Sequence, residues 1–322
     1  VKILVTGGAG YVGSTLTRLL LESGYQVRVF DSLMHSGESL LGVWTHPGFE
    51  FIKGDLRDAA AIKAAVKDVD AVVHLAAIVG DPACAKEPEL ARAINLGCSL
   101  SLIEECKRAG VARFVFASTC SNYGRMDDPN SYVDENSELR PVSLYAETKV
   151  AVERAILADD SSDQFCPTAL RSATVYGVSP RMRFDLTVNE FTMEMLTAKH
   201  LVVFGEQFWR PYIHVRDFGR AIKLVLESPA EKVCRQVFNI GATDQNYQKQ
   251  QLVEMIQPFA PEARVEYVHK NEDPRDYRVS FEKIKQHLGF TITRTVTDGI
   301  KEVSDVITSG LINDFGNQKY RN

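Results

Sequence analysis

The chain has 322 residues, 45% of them hydrophobic and 25% charged, a composition that excludes disordered, collagen-like and low-complexity classes and supplies apolar surface for a full core. Its 37 Lys and Arg against 42 Asp and Glu leave a net charge of -5 with no long block of one sign, which excludes the broad basic face of a nucleic-acid or anionic-membrane binder. Any anionic ligand has to be met locally.

Strand and helix patterns alternate from the start. Residues 3–5 are a short β-rich run, 12–22 carry helical spacing at Val12, Leu16, Leu19 and Leu20, and 27–30 are a second strand. Candidate strands at 49–52, 71–75, 113–117 and 168–170 follow, separated by helical stretches near 58–67, 88–109 and 145–158. Such alternation predicts an α/β fold, a doubly wound parallel sheet covered on both faces. After about residue 172 the rhythm changes to a helix near 185–198, a strand at 201–204 and a helix at 216–227. The expected division is a nucleotide-binding domain over 1–172, with part of 212–241 returning to it, and a smaller lobe drawn mainly from 173–322.

Six cysteines, at 84, 98, 106, 120, 166 and 234, show no CxxC pair and no metal-ligand spacing, so neither disulfides nor a bound metal is expected and the predicted setting is the reducing cytoplasm. The most apolar run, 71–80, falls well short of the roughly 18 residues a membrane span needs, and the opening residues lack signal-peptide zones. Neither membrane insertion nor export is expected.

Between the first strand and the first helix stands Thr6-Gly7-Gly8-Ala9-Gly10-Tyr11-Val12-Gly13. Gly7 and Gly10 permit a tight turn and close approach of backbone to a pyrophosphate, Gly13 lets the helix pack on the strand, and the helix N-terminus offers amides and positive dipole to phosphate. Glycine-rich turns also serve purely structural bends, so context carries weight. Asp31 ends the second strand near the offset of roughly 20 residues at which an acid binds a ribose 2′-hydroxyl, and no Arg or Lys adjoins it to take a 2′-phosphate. The expected cofactor is NAD, in preference to NADP.

In Tyr145-Ala-Glu-Thr-Lys149 the i, i+4 spacing puts phenol and ammonium on one helix face. A phenol titrates near 10, so Tyr145 becomes a proton acceptor near neutral pH only when cations, here Lys149 and a nicotinium ring, favour the phenolate. A pair of this kind taken alone also describes an ordinary surface contact. Upstream, Ser118-Thr119-Cys120-Ser121 follows the expected fifth strand, at the carboxyl edge where open parallel sheets bind ligands.

The glycine turn, the hydroxyl cluster and the later Tyr-x-x-x-Lys together resemble the extended short-chain dehydrogenase/reductase family. Asp55-Leu56 after the third strand, His74-Leu-Ala76-Ala77 after the fourth, Asn95 in the next helix and Arg210-Pro-Tyr-Ile-His214-Val-Arg-Asp217 extend the likeness over most of the chain, toward the branch acting on nucleotide sugars. The resemblance implies a Rossmann domain with a substrate-binding lobe. Thr119 would hydrogen-bond the reacting sugar hydroxyl with Ser121 as its neighbour, Tyr145 would transfer the proton, and Lys149 would hold the nicotinamide ribose. Gly7, Gly10, Tyr11, Val12, Gly13, Asp31, Asp55, Leu56, Ala76, Ala77 and Asn95 would serve the cofactor, Asp55 by accepting from the adenine amino group. Asn189, Arg210 and Arg275, the last in Asp273-Pro-Arg-Asp-Tyr, would surround a nucleoside diphosphate, for which arginine forks suit paired phosphates. His214, beside an apolar run and without ligand-spaced partners, reads as a hydrogen-bonded core residue.

Departures from the family pattern choose the reaction. Sugar 4,6-dehydratases usually follow the catalytic Thr with an Asp-Glu pair, and this chain has Cys120-Ser121, which disfavours dehydration. Thr174 stands where the family usually has Asn. Cys120 is a candidate acid/base thiol, although a small buried thiol is the better reading. The expected activity is an NAD-dependent nucleoside-diphosphate-sugar epimerase acting at C4, in a homodimer. Alternatives are a 3,5- or 5-epimerase, a dehydratase, a keto-sugar reductase, or a non-catalytic NAD-sensing scaffold.

Overall fold

The computed structural model describes residues 1–126, 128, 131–158, 164–270 and 275–322. The β-rich runs form β1 (Lys2–Thr6), β2 (Gln26–Asp31), β3 (Phe49–Lys53), β4 (Ala71–His74), β5 (Arg113–Thr119) and β6 (Cys166–Ser172). They lie in the order β3-β2-β1-β4-β5-β6, followed by the strand Gln236–Ile240, and every neighbouring pair is parallel. The order reverses between β1 and β4, so the crevice outside their carboxyl ends is the topological switch point of the sheet.

Alternation along the strands supplies two cores. Ile3, Val5, Val27 and Val29 pack with Leu16 and Leu20 of α1 (Tyr11–Glu22) on one face, while Leu4, Phe30, Val72, Phe114 and Phe116 pack with Ile62 and Val66 of α2 (Ala59–Val66) on the other. The helix Val215–Glu227 adds Phe218, Ile222 and Val225 to the first core, beside α1. Among the described residues no helix is long and apolar enough to cross a membrane.

The stretch expected as one helix over 88–109 is broken into Pro88–Arg92, a wide π-type turn at Ala93–Cys98, and Ser99–Arg108. The widened turn holds Asn95, whose side chain bonds both backbone groups of Ile78 and so draws the helix toward the loop after β4. Beyond the central sheet, Thr174–Tyr176, Trp209–His214 and Asn246–Gln248 form a small three-stranded sheet, and His200–Phe204 pairs with Arg264–Val268. A third apolar cluster joins these strands to the helices Thr187–Thr197, Lys249–Ile256 and Val296–Thr308.

Candidate active site

The glycine turn closes on itself at the end of β1. Gly7 donates to Phe30 at 2.9 Å and accepts from Gly10 at 3.1 Å. Gly7 has φ +73°, and a Cβ there would lie 2.8 Å from the Ala76 amide, while one on Gly13 would lie 2.1 Å from the Gly7 carbonyl. The turn therefore tolerates no side chain at either position. α1 begins at Gly10 with no side-chain cap and no acid in its first turn, leaving its amides to an anionic ligand. Asp31 accepts from the amides of Ala9, at 3.0 Å, and Leu33, at 2.8 Å, which fixes its carboxylate beside the turn. Burial raises the Asp31 carboxyl above its usual range and those two amides oppose the shift. A cradle without side chains, an open helix end and an anchored acid at the next strand fit a dinucleotide such as NAD.

Several expected cofactor residues have other work. Tyr11 points its phenol away, donating to the Gly177 carbonyl at 2.6 Å, so only its backbone at the start of α1 faces a ligand. Asn95 braces the Ile78 loop through both the oxygen and the nitrogen of its side-chain amide. Asp55 is in place at the exit of β3, but its two oxygens take the Arg57 guanidinium at 3.0 and 2.6 Å, which lowers its carboxyl. Leu56 is buried in the second core, and Val12, Ala76 and Ala77 are half-buried.

At the end of β5, Thr119 accepts from the Ser121 amide at 3.1 Å and starts a tight 3-10 turn. That turn carries Cys120 inward: its thiol is 1% exposed, donates to the Arg171 carbonyl at 3.2 Å, and is pushed far up by burial. Cys120 is thus the small buried thiol of the preferred reading, and its lesser candidacy as an acid/base is disfavoured: the thiolate form is penalised and the sulfur faces the core. Cys84 is likewise buried, donating to the Ile78 carbonyl at 3.3 Å.

The helix Leu144–Ala158 brings Tyr145 and Lys149 to the same edge. The Lys149 ammonium is buried, donates to the Ala117 carbonyl at 2.8 Å, and sits 4.7 Å over the Phe116 ring and 5.8 Å from the Tyr145 ring. Burial lowers its pKa to about 8. Tyr145 is raised, again chiefly by burial, with Arg183 as the cation that opposes the shift. Of the two cations expected to favour the phenolate, Lys149 has its ammonium turned toward β5, and Arg183 is a further cation that acts on Tyr145. Arg183 was not singled out in the sequence; its only sign there was the Arg-x-Asp spacing that forms a fork to Asp185, with both contacts at 2.8 Å.

Toward the second lobe, Tyr277 donates to Ser121 at 3.4 Å and lies under the Arg210 guanidinium at 5.5 Å. Arg210 is itself buried and donates to the Trp209 carbonyl at 2.7 Å. Arg275 reaches Asp81 at 2.8 Å, and Asp81 is also among the charges acting on Tyr145, so this pair lies near the phenol. Asp273 and Pro274 of the Arg275 motif lie outside the described residues. Asn189, expected beside the diphosphate, braces the backbone of the second lobe in this structure. It is fully buried, its carbonyl accepting from the Gly177 amide at 2.9 Å and its amide donating to the Arg183 carbonyl at 2.9 Å. His214 is a core residue, accepting from the Arg216 amide and contacting Glu302 at 3.0 Å. No group of His, Cys, Asp and Glu suited to a metal occurs among the described residues.

Residues 3–241 match the model of the NAD dependent epimerase/dehydratase family. The chain belongs to this family. A UDP-glucose 4-epimerase of Corynebacterium glutamicum is 29% identical, the match covering 96% of each chain. A dTDP-glucose 4,6-dehydratase of Streptomyces niveus is 30% identical over 94% of this chain and 91% of its own. Among solved structures, a UDP-glucuronic acid 4-epimerase of Bacillus cereus, in complex with UDP-glucuronic acid and NAD, superposes with a TM-score of 0.86 at 26% identity, covering 96% of this chain and 99% of its own. The family member described here is thus an NAD-dependent enzyme of the epimerase/dehydratase class.

Asp31 carries the expected cofactor choice. Asp31→Ala should bring the affinities for NAD and NADP to within about threefold of each other, since the 2′-hydroxyl acceptor is lost. Calorimetric titration of both cofactors checks this; a parent protein that binds them equally would overturn the role given to Asp31.

Proposed function

We propose that the protein is a nucleoside-diphosphate-sugar epimerase acting at C4. The observation that carries this reading is the inward turn of Cys120, which leaves Ser121 where a dehydratase or 3,5-epimerase needs an acid/base. When bound, NAD supplies reversible hydride uptake. Tyr145 takes the proton of the sugar hydroxyl, Thr119 donates a hydrogen bond to the same oxygen, and Lys149 keeps donors for the cofactor ribose while anchored on Ala117. The keto sugar turns over before Tyr145 returns the proton, so the reaction begins and ends with the same protonation state.

Arg210 and Arg275 are the donors for the diphosphate, with Arg275 exchanging its Asp81 partner for phosphate. Residues 1–172 together with 236–240 hold the cofactor, and most of 173–322 holds the sugar nucleotide. We place the enzyme in the cytoplasm, where its six free thiols stay reduced, as a homodimer packed through the helices Ser99–Arg108 and Leu144–Ala158. Incubation with a panel of UDP-, dTDP-, GDP- and CDP-sugars tests the activity. The expected product is a C4 epimer of unchanged mass with no net NADH, in the parent and in Cys120→Ala alike. Loss of water from any sugar would replace this reading with dehydration.

A further inference from the structure

Beside the later turns of α1 lies a cavity of about 680 Å³, within the size range of small-molecule sites. None of the residues assigned to the cofactor or the sugar nucleotide lines it. Its charged lining is one-sided, with Arg18, Arg181, Arg216, Arg220, Arg294 and Lys319 against two glutamates, in a chain whose net charge is -5. Three of these cations are satisfied by carboxylates: Arg220 by Asp217, Arg294 by Glu302 and Lys319 by Glu38. Arg18 and Arg216 are exposed and have no ion pair among the described residues.

Arg181 supplies an independent observation. It is only 6% exposed, one guanidinium nitrogen donates to the Arg321 carbonyl at 2.8 Å, and its Nε has no partner among the described residues. Burial, and then the nearby Arg183, lower its pKa to about 10. Asp185 and Asp31 offset part of that shift from a distance, but no carboxylate bonds the guanidinium among the described residues, so its unused donor is still open to an anion. The rest of the wall includes Leu19, Met182, Val306 and Ile312, which offer apolar contact to a ligand body.

We infer that this cavity is a second ligand site, separate from the NAD crevice, for an organic phosphate of the nucleoside phosphate class. Arginine forks bind the phosphate oxygens and the apolar wall receives the base. The site does not depend on which sugar the enzyme epimerises.

ATP titrated calorimetrically into NAD-saturated protein is the test, with inorganic tripolyphosphate as the second probe. Saturable ATP binding is expected, weakened roughly tenfold by Arg18→Ala or Arg216→Ala and further by both, as befits lost charge-assisted hydrogen bonds. Both side chains are exposed, so the double variant should keep the parent fold, read by circular dichroism, and the parent turnover. No ATP binding by NAD-saturated protein, or binding undiminished in the double variant, would overturn the site. Tripolyphosphate binding as tightly as ATP would overturn its organic half.

Discussion

Tyr145→Phe should lower turnover of the accepted sugar nucleotide by about 10²–10⁴-fold, the usual contribution of a positioned acid/base group, while NAD affinity stays within about twofold. The variant removes one oxygen. The Phe ring keeps the packing of the first turn of Leu144–Ala158, and the Lys149 anchor on Ala117 is untouched. Burial holds the phenol above its usual range, so the parent rate should climb as pH rises and the phenolate becomes available, whereas the residual rate of Tyr145→Phe should not follow that rise. Steady-state kinetics across pH with parallel NAD calorimetry reads both effects. A variant within tenfold of the parent, with the same pH profile, would take the proton transfer away from Tyr145.

The largest effect on stability should come from Glu153→Ala. Glu153, on the helix Leu144–Ala158, and Arg171, on β6, form a fork-like ion pair with side chains 2% and 5% exposed. Arg171 also donates to Tyr123 at 2.9 Å, and Ser118 donates to Glu153 at 2.9 Å, so the pair ties together the carboxyl ends of β5 and β6 beneath Thr119. Removing the carboxylate strands a buried guanidinium, at a cost of about 3–5 kcal/mol. Urea unfolding should show this as a lower midpoint. The double variant Glu153→Leu with Arg171→Met should recover most of the loss, because the desolvation penalty goes with both charges. A cost for Glu153→Ala below about 1 kcal/mol would mean the pair behaves like an exposed one.

Features dictated by local backbone or a single helical turn were legible in the sequence. Gly7 and Gly13 are required by contacts within the turn itself or with the adjoining strand end, Asp31 marks the end of a strand, and Tyr145 and Lys149 are set by one helical repeat. Residue type and position did not reveal where a side chain points when that depends on packing between distant segments. Tyr11 lies in the glycine motif yet spends its phenol on Gly177, 166 residues away, and Asn189 is consumed by the same Gly177 and by Arg183. Cys120 faces the core because the 3-10 turn after Thr119 rotates it there. Arg183 and the Glu153–Arg171 pair carried little signal, since their partners or targets are set by how the helix, β6 and the second lobe meet.

The central claim, reversible oxidation at C4 with no acid/base chemistry at neighbouring carbons, is tested most directly by mass spectrometry of a turned-over sugar nucleotide after incubation in heavy water. In C4 epimerisation the hydrogen leaves as hydride and returns to the same carbon without meeting solvent, so a substrate deuterated at C4 should keep its label and an unlabelled one should gain none. A 3,5- or 5-epimerase or a dehydratase removes a carbon-bound proton beside a transient ketone, and that proton exchanges with water. The account predicts complete retention at C4 and no carbon-bound solvent deuterium at C3 or C5. Carbon-bound deuterium in the product, or loss of water, would contradict it.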